Sequence, residues 1–124
     1  MLEKLYVEST ETTPRVVLDK EMGKFIISGR SLPEDTDKFY EPIINWLTLY
    51  NRESNAHTEF VFNYEYYNSS SLRKVVDILT VLKSISLSSN LTIKWYYEDG
   101  DETSLENAED LKFAVNLPIE IIMN

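Results

Sequence analysis

The sequence predicts an α/β domain of two layers, in which the helices lie mainly on one face of a mixed, mostly parallel sheet. Segments with the alternation of strands and segments with the spacing of helices follow one another along the chain, and this order requires crossover connections between parallel strands. An early hairpin adds antiparallel strands. The strands are apolar on one face and half polar on the other, whereas parallel strands covered on both faces are apolar throughout. We therefore expect one sheet face to be open to solvent or to a partner.

The first part of the chain predicts three short strands. Residues 4–9 form one strand, and residues 13–18 and 24–28 form the two arms of a hairpin. Gly23 closes the hairpin turn, because glycine adopts a positive φ angle without steric cost. Residues 29–31 then end the second arm.

The first helix is predicted to open at residues 31–34, where Ser31 and Glu34 have the spacing of a capping box. It runs to about Asn51, since its apolar residues recur at helical spacing. Pro42 interrupts this pattern, so that either the helix is kinked there or its regular part begins near Glu41. The apolar stripe comprises Phe39, Tyr40, Ile43, Ile44, Trp46, Leu47 and Tyr50.

Aromatic residues dominate the next strand, which is predicted over residues 59–67. Its alternation places Phe60, Phe62, Tyr64 and Tyr66 on one face. The second face of the sheet is expected to carry aromatic and polar side chains, among them Tyr64 or Tyr67 and Tyr96.

Strand and helix continue to alternate toward the C-terminus. A helix over residues 70–84 has the spacing of an amphipathic helix with one buried stripe. The predicted stripe comprises Leu72, Val75, Val76, Leu79 and Leu82. The remaining elements are a strand over 91–97, an acidic turn over 98–101, a helix over 104–116 and a strand over 118–122.

Length and charge restrict the class of protein. A chain of 124 residues is most simply a single domain, residues 1–124. The net charge of −9 disfavours nucleic acid and anionic membranes as partners, because both require clusters of lysine and arginine. There is no apolar run long enough to cross a membrane and no signal-peptide pattern. The absence of cysteine excludes disulfides and thiolate zinc sites and fits a cytoplasmic location.

The segment Asn68-Ser69-Ser70-Ser71 is the candidate functional site, because it joins the aromatic strand to the amphipathic helix. A hydroxyl at Ser69 would lie at the positive end of the helix dipole. Such a hydroxyl either caps the helix or accepts a phosphate group. Both roles remain open on the residues alone.

Other candidate residues have weaker patterns. Arg30 and Arg73 either contact a phosphate or a partner carboxylate or belong to the solvated surface. The acidic residues from Glu98 to Glu102 lack the full spacing of an EF-hand and are typical of a solvated turn. The sequence contains no nucleophile-elbow motif that could supply a catalytic partner for His57. The three glycines do not have the spacing of a phosphate-binding loop. We expect no metal and no cofactor.

Several segments together resemble the SiaC family of bacterial regulatory phosphoproteins. They occur in the family's order and extend over nearly the whole chain. The matching segments are Tyr6-Val7-Glu8-Ser9-Thr10-Glu11-Thr12-Thr13-Pro14, Ile27-Ser28-Gly29-Arg30-Ser31, Phe39-Tyr40-Glu41-Pro42 with Trp46-Leu47, Asn68-Ser69-Ser70-Ser71, and Ile93-Lys94-Trp95-Tyr96-Tyr97-Glu98.

The resemblance implies a fold like the STAS domain of anti-sigma-factor antagonists, and a phosphorylation switch without catalysis. It implies three protein partners: a dedicated kinase, a PP2C-type phosphatase, and a diguanylate cyclase or other effector that the unphosphorylated form binds and activates. Ser69 matches the family's phosphoacceptor, which is a threonine there, and Ser70 and Ser71 are competing acceptors. The expected partner-binding residues are Asn68, Ser70, Arg30 and Arg73.

Two other functions are compatible with the sequence. The chain is either an unregulated scaffold or homodimer that pairs through the open sheet face, or a small enzyme that uses carboxylates or tyrosines. An enzyme requires a concave site with converging ionisable groups. A scaffold would lose only the stability of a helix cap on substitution of Ser69.

Overall fold

The computed structural model describes residues 2–124, which form one six-stranded sheet and three α-helices. The strands are β1 (Leu5–Val7), β2 (Arg15–Asp19), β3 (Lys24–Ser31), β4 (His57–Tyr67), β5 (Asn90–Tyr97) and β6 (Ile119–Met123). The helices are α1 (Thr36–Tyr50), α2 (Ser69–Ile85) and α3 (Glu102–Val115), and a 3₁₀ turn, Asn51–Glu53, follows α1. No helix in this part of the chain is long and apolar enough to cross a membrane.

The strands lie in the sheet in chain order, from β1 at one edge to β6 at the other. β1, β2 and β3 pair antiparallel, whereas the pairs β3–β4, β4–β5 and β5–β6 are parallel and are connected through α1, α2 and α3. Right-handed crossovers that always add the next strand on the same side place every helix on one sheet face. The predicted mixed, mostly parallel sheet with one-sided helices is confirmed.

The core fills the space between this sheet face and the helices. Trp95, Tyr40, Phe60 and Phe62 are among the largest side chains that are fully buried there. Trp46 is also buried, as its position on the apolar stripe predicts. Val17 is buried outside this core, on the opposite face of the sheet.

The predicted start of the first helix at residues 31–34 is wrong. Ser31 is the last residue of β3 and is fully buried, because β3 continues to pair with β4 up to Tyr67. Asp35 is the N-cap of α1, and its side-chain oxygen accepts a hydrogen bond from the backbone N–H of Lys38. Pro42 lies inside α1, so the alternative start near Glu41 is also wrong.

A bulge in β4 changes which tyrosines face the core. Gly29 pairs with Tyr64, but the next residue, Arg30, pairs with Tyr66, so that Glu65 is the extra residue in β4. The alternation therefore reverses after Tyr64. Tyr66 is exposed, contrary to its predicted place beside Phe60, Phe62 and Tyr64, and Tyr67 instead packs against the core.

The buried and open faces differ from the predictions at three further positions. Tyr64 is buried under the helices and does not lie on the open face. Val76 is largely exposed on α2, and Ile78 is buried in its place. The open face carries Val61 and Lys94, which are both partly exposed, and Lys94 forms an ion pair with Glu59.

Candidate functional site

Asn68 holds the start of α2 against the end of β3. Its backbone N–H donates to the carbonyl oxygen of Ser31 at 3.0 Å. Its side-chain oxygen accepts from the backbone N–H of Ser71 at 2.8 Å, which makes Asn68 the N-cap of the helix. Ser69 is therefore the first helical residue and not the cap.

The three consecutive serines lie in different environments. Ser69 is exposed and Ser70 is partly buried, whereas Ser71 is fully buried. The Ser71 hydroxyl donates to the carbonyl oxygen of Ser31 at 3.0 Å. Within residues 2–124 the Ser69 hydroxyl forms no hydrogen bond, so it is available to an enzyme that approaches from solvent.

The buried Ser71 hydroxyl is the first member of a hydroxyl chain, a series of four buried hydroxyl groups linked by hydrogen bonds. The Ser71 and Ser31 hydroxyl oxygens are 2.8 Å apart, Ser31 contacts the Tyr40 hydroxyl, and the Tyr40 and Tyr64 oxygens are 2.9 Å apart. Because Ser71 uses its single proton on the Ser31 carbonyl, Ser31 must donate to Ser71. Tyr40 then donates to Ser31 and Tyr64 to Tyr40, so every hydroxyl donates once.

Burial keeps the tyrosines of this chain protonated. Burial raises the pKa of Tyr64 well above 10.0, and the neighbouring Tyr40 hydroxyl raises it further. Burial also raises the pKa of Tyr40, although hydrogen bonds with Ser31, Tyr64 and Ser71 lower it in part. The four linked hydroxyl groups are therefore uncharged. They join β3, α1, β4 and α2 and so fix the position of the start of α2.

The start of α2 presents groups that attract an anion. The backbone N–H groups of Ser69 and Ser70 have no protein partner in the described residues. The helix dipole adds partial positive charge at the same place. Arg73 is exposed and lies one helical turn after Ser69, at a spacing that brings side chains together. A phosphate on Ser69 would meet these donors without disturbing the core.

A polar groove separates the starts of α1 and α2. An ion pair spans it, with the Lys74 ammonium group 2.6 Å from the Asp37 carboxylate and 3.6 Å from that of Asp77. The hydrogen bond with Asp37 raises the pKa of Lys74, so Lys74 is charged at neutral pH. The groove is lined by Glu34, Asp35, Thr36, Asp37, Lys38, Ser70, Arg73, Lys74 and Asp77. Ser70 and Arg73 thus line the same groove.

Arg30 lies on the open face of the sheet. Its Nε donates to the carbonyl oxygen of Glu11 at 3.1 Å, and its Nη1 lies 3.9 Å from the Glu65 carboxylate. Its guanidinium group also lies over the Tyr66 ring, 5.9 Å from the centroid. No hydrogen bond or ion pair joins it to Ser69, Ser70 or Ser71 in the described part of the chain.

The acidic segment before α3 has a structural role at its last residue. Asp101 caps the helix, with its carboxylate accepting from the backbone N–H of Ser104 at 3.1 Å. Across residues 2–124, no group of three histidine or acidic side chains is placed to hold a metal ion. His57 is the exposed first residue of β4.

The sequence does not predict the hydrogen bonds that link the four hydroxyl groups of the hydroxyl chain. Ser31 has the local pattern of a helix cap, and Tyr40 lies on an apolar stripe. The one available signal was that buried tyrosines usually find a partner for their hydroxyl group. Neither that partner nor the Asp37–Lys74 ion pair follows from spacing within one element, because each contact joins two different elements.

Comparison with known proteins supports the same fold and a family. Residues 7–124 match the model of the SiaC family of regulatory phosphoproteins. A curated relative, an uncharacterized protein of Pseudomonas aeruginosa strain UCBPP-PA14, is 24% identical over 121 residues, which cover 97% of this chain and 96% of that protein.

Solved structures of SiaC from Pseudomonas aeruginosa have the same fold. SiaC of Pseudomonas aeruginosa superposes with a TM-score of 0.87 at 23% identity, over 98% of this chain and 99% of that chain. A crystal structure contains the diguanylate cyclase SiaD in complex with its activator SiaC from Pseudomonas aeruginosa. The SiaC chain of that complex superposes with a TM-score of 0.87 at 24% identity, over 97% of this chain and 99% of that chain. Since the family model covers nearly the whole sequence, the chain belongs to the SiaC family of regulatory phosphoproteins.

Proposed function

We propose that this protein is a non-catalytic switch in which phosphorylation of Ser69 controls binding to a diguanylate cyclase. In its unphosphorylated form it binds and activates the cyclase, which makes cyclic di-GMP. A dedicated kinase adds the phosphate and a PP2C-type phosphatase removes it. The kinase and the phosphatase act in the cytoplasm, where ATP is available to the kinase. We infer that residues 1–124 act as one domain, since a single sheet and core extend through residues 2–124.

One observation carries the choice of Ser69: it is the exposed first residue of α2, and its hydroxyl forms no hydrogen bond within residues 2–124. Burial of Ser71 and its bond to the Ser31 carbonyl argue against modification of Ser71 in the folded protein. Ser70 is partly buried and faces the polar groove. It remains a competing acceptor of lower accessibility.

The choice of effector rests on the relatives. The family consists of regulatory phosphoproteins, and the SiaC that shares this fold is described as the activator of the diguanylate cyclase SiaD in their complex. A phosphate adds about −1.5 to −2 charges and three acceptor oxygens. At the helix start the fold tolerates this charge, whereas a partner surface packed against Ser69 does not. Phosphorylation therefore dissociates the effector and leaves the protein folded.

The test compares two substitutions at Ser69 with a charged substitution elsewhere on α2, Thr80→Asp. Tagged Ser69→Ala and Ser69→Asp proteins are purified from cells of the native organism, and bound proteins are identified by mass spectrometry. We expect a diguanylate cyclase with Ser69→Ala and its loss with Ser69→Asp, while Thr80→Asp, on an exposed part of α2 outside the groove, retains it. Recovery of the cyclase by both Ser69 variants would contradict the switch.

A second measurement separates activation from binding. The recovered cyclase is assayed for cyclic di-GMP synthesis with added Ser69→Ala or Ser69→Asp protein. We expect the rate to rise with Ser69→Ala only. Binding without any change in rate would retain the interaction and reject activation.

A further inference from the structure

The outer edge of the sheet at β1 lies beside an apolar groove. In the sheet formed by residues 2–124, β1 has a single neighbour, β2, so its other edge is unpaired there. Between this edge and α1 runs a groove whose apolar lining comprises Leu5, Val7, Pro33, Phe39, Pro42 and Ile43. Unpaired strand edges pair readily with another strand, and exposed apolar grooves mark interaction sites.

Pro42 is a second observation that favours a binding partner in this groove. A proline inside a helix removes a backbone donor, so the carbonyl group of Lys38 loses its partner one turn earlier. The Pro42 side chain is exposed in the groove. The helix thus carries a destabilising residue whose apolar ring has no covering group in residues 2–124.

We propose that a second copy of this chain occupies the site, with β1 paired antiparallel to β1 of the second copy about a two-fold axis at Tyr6. The axis is perpendicular to the sheet, so the two sheets become continuous. The same surface then serves both copies, as in most homodimers. The two grooves meet across the axis, and Phe39 and Pro42 of each copy become covered by the other.

The register follows from the sequence of the strand. Opposite residues in an antiparallel pair share a face, so the axis falls on a residue of β1. An axis at Tyr6 sets Lys4 opposite Glu8 of the second copy and Leu5 opposite Val7. An axis at Leu5 would place Glu3 against Val7, and an axis at Val7 would place Leu5 against Ser9. The axis at Tyr6 pairs opposite charges and apolar residues over residues 4–8, with Glu3 opposite Ser9 beyond them, and such cross-strand pairs are favourable.

The open face of β1 supports this charge pairing. The Lys4 ammonium group lies 6.0 Å from the Tyr6 ring centroid, and the Arg15 guanidinium carbon lies 5.7 Å from it. Arg15 also donates to the Tyr6 hydroxyl at 3.2 Å. Two cations thus flank the residue on the axis, although the whole chain carries a net charge of −9. Glu8 of the second copy would balance Lys4 at this position.

A cysteine placed on the axis tests the geometry, because the chain has none of its own. Directly opposite Cα atoms lie about 4.5–5.5 Å apart, which a disulfide can bridge. We expect purified Tyr6→Cys protein to form a disulfide-linked dimer on mild oxidation. Thr48→Cys, on an exposed part of α1 outside the groove, should remain uncrosslinked. Equal crosslinking of both variants, or none in Tyr6→Cys, would overturn the proposal.

Light scattering after size-exclusion chromatography then measures the mass of the unphosphorylated chain alone over a range of concentrations. We expect a dimer, which Lys4→Glu weakens about tenfold and which Lys4→Glu/Glu8→Lys restores. Pro42→Glu, which returns a backbone donor to the helix, should remain folded by circular dichroism and be monomeric, whereas Thr48→Glu should dimerise. A monomer at every concentration would overturn the proposal. If that monomer bound an added cyclase through the groove, the groove would be a binding site for the effector. The proposed switch at Ser69 would not be contradicted by this result.

Discussion

The backbone N–H of Ser71 donates to the side-chain oxygen of Asn68 at 2.8 Å, so that Asn68 and not Ser69 caps α2. This one hydrogen bond separates two roles that are adjacent in sequence. Asn68 stabilises the helix, whereas the Ser69 hydroxyl forms no hydrogen bond in the part of the chain that the structure describes. Substitutions at Ser69 should therefore change the folding of the protein little.

Stability measurements should separate the two residues. Asn68→Ala should lower the free energy of unfolding by about 1 kcal/mol, because the cap is lost. Ser69→Ala should change it by less than about 0.5 kcal/mol, as surface substitutions without structural contacts do. Urea denaturation of both variants and of Asn68→Asp, which retains a capping oxygen, provides the comparison. A larger loss at Ser69 than at Asn68 would contradict the assignment.

A negative charge at Ser69 should stabilise the isolated protein. Ser69→Asp places a carboxylate in the first turn of α2, where the helix dipole favours it by about 0.3–1 kcal/mol at low ionic strength. The gain should shrink in 1 M salt, where the screening length falls to about 3 Å. Thermal unfolding in low and high salt measures it. Destabilisation by Ser69→Asp would mean that loss of effector binding reflects unfolding.

The directed hydroxyl chain predicts an order of effects. Tyr64→Phe removes only the first donor of the chain and should cost about 0.5–1.5 kcal/mol. Ser31→Ala removes a central hydroxyl and leaves the buried Tyr40 proton without an acceptor, at a cost of about 1–3 kcal/mol. Urea denaturation of the two variants gives the order. A smaller loss for Ser31→Ala would show that the protons are arranged differently.

Alkaline pH should destabilise the protein through Tyr40 and Tyr64. Both pKa values are raised in the folded state, so these tyrosines bind their protons more tightly there than in the unfolded chain. Stability is unaffected below the unfolded value of 10.0 and is lost as the pH rises above it. Each tyrosine should contribute a slope of about −1.4 kcal/mol per pH unit.

Tyr64→Phe provides the test of this pH dependence. Urea denaturation between pH 8 and pH 11, roughly the range in which phenols begin to ionise, should show a shallower alkaline loss than in the natural chain. Tyr66→Phe is the matched control, since Tyr66 is exposed and lies outside the hydroxyl chain. The same alkaline slope in all three proteins would rule out the network as its cause.

Local patterns in the sequence were sufficient to predict the order of strands and helices. Alternation and helical spacing identified every strand and α-helix of residues 2–124, and crossover geometry then led to the parallel sheet. The junction at Ser69 was also predictable, because an aromatic strand passes directly into an amphipathic helix there. These features depend on residues that are close in sequence.

Features that depend on distant residues were not predictable. Ser31 has the local signature of a helix cap, but pairing with Tyr67 extends β3 through it. The bulge at Glu65 has no signal of its own, yet it reverses the faces of Tyr66 and Tyr67. The hydroxyl chain forms only where β3, α1, β4 and α2 converge, so spacing within one element could not indicate it.

The position of the phosphate in the native protein tests the central claim most directly. Trypsin cleaves after Arg52 and Arg73 and releases residues 53–73, which contain Ser69, Ser70 and Ser71. Tandem mass spectrometry of this peptide, from protein recovered from native cells with phosphatases inhibited, distinguishes the three positions. We predict one phosphate, on Ser69. A phosphate confined to Ser70 or Ser71, or a peptide that stays unmodified while the kinase is active, would contradict it.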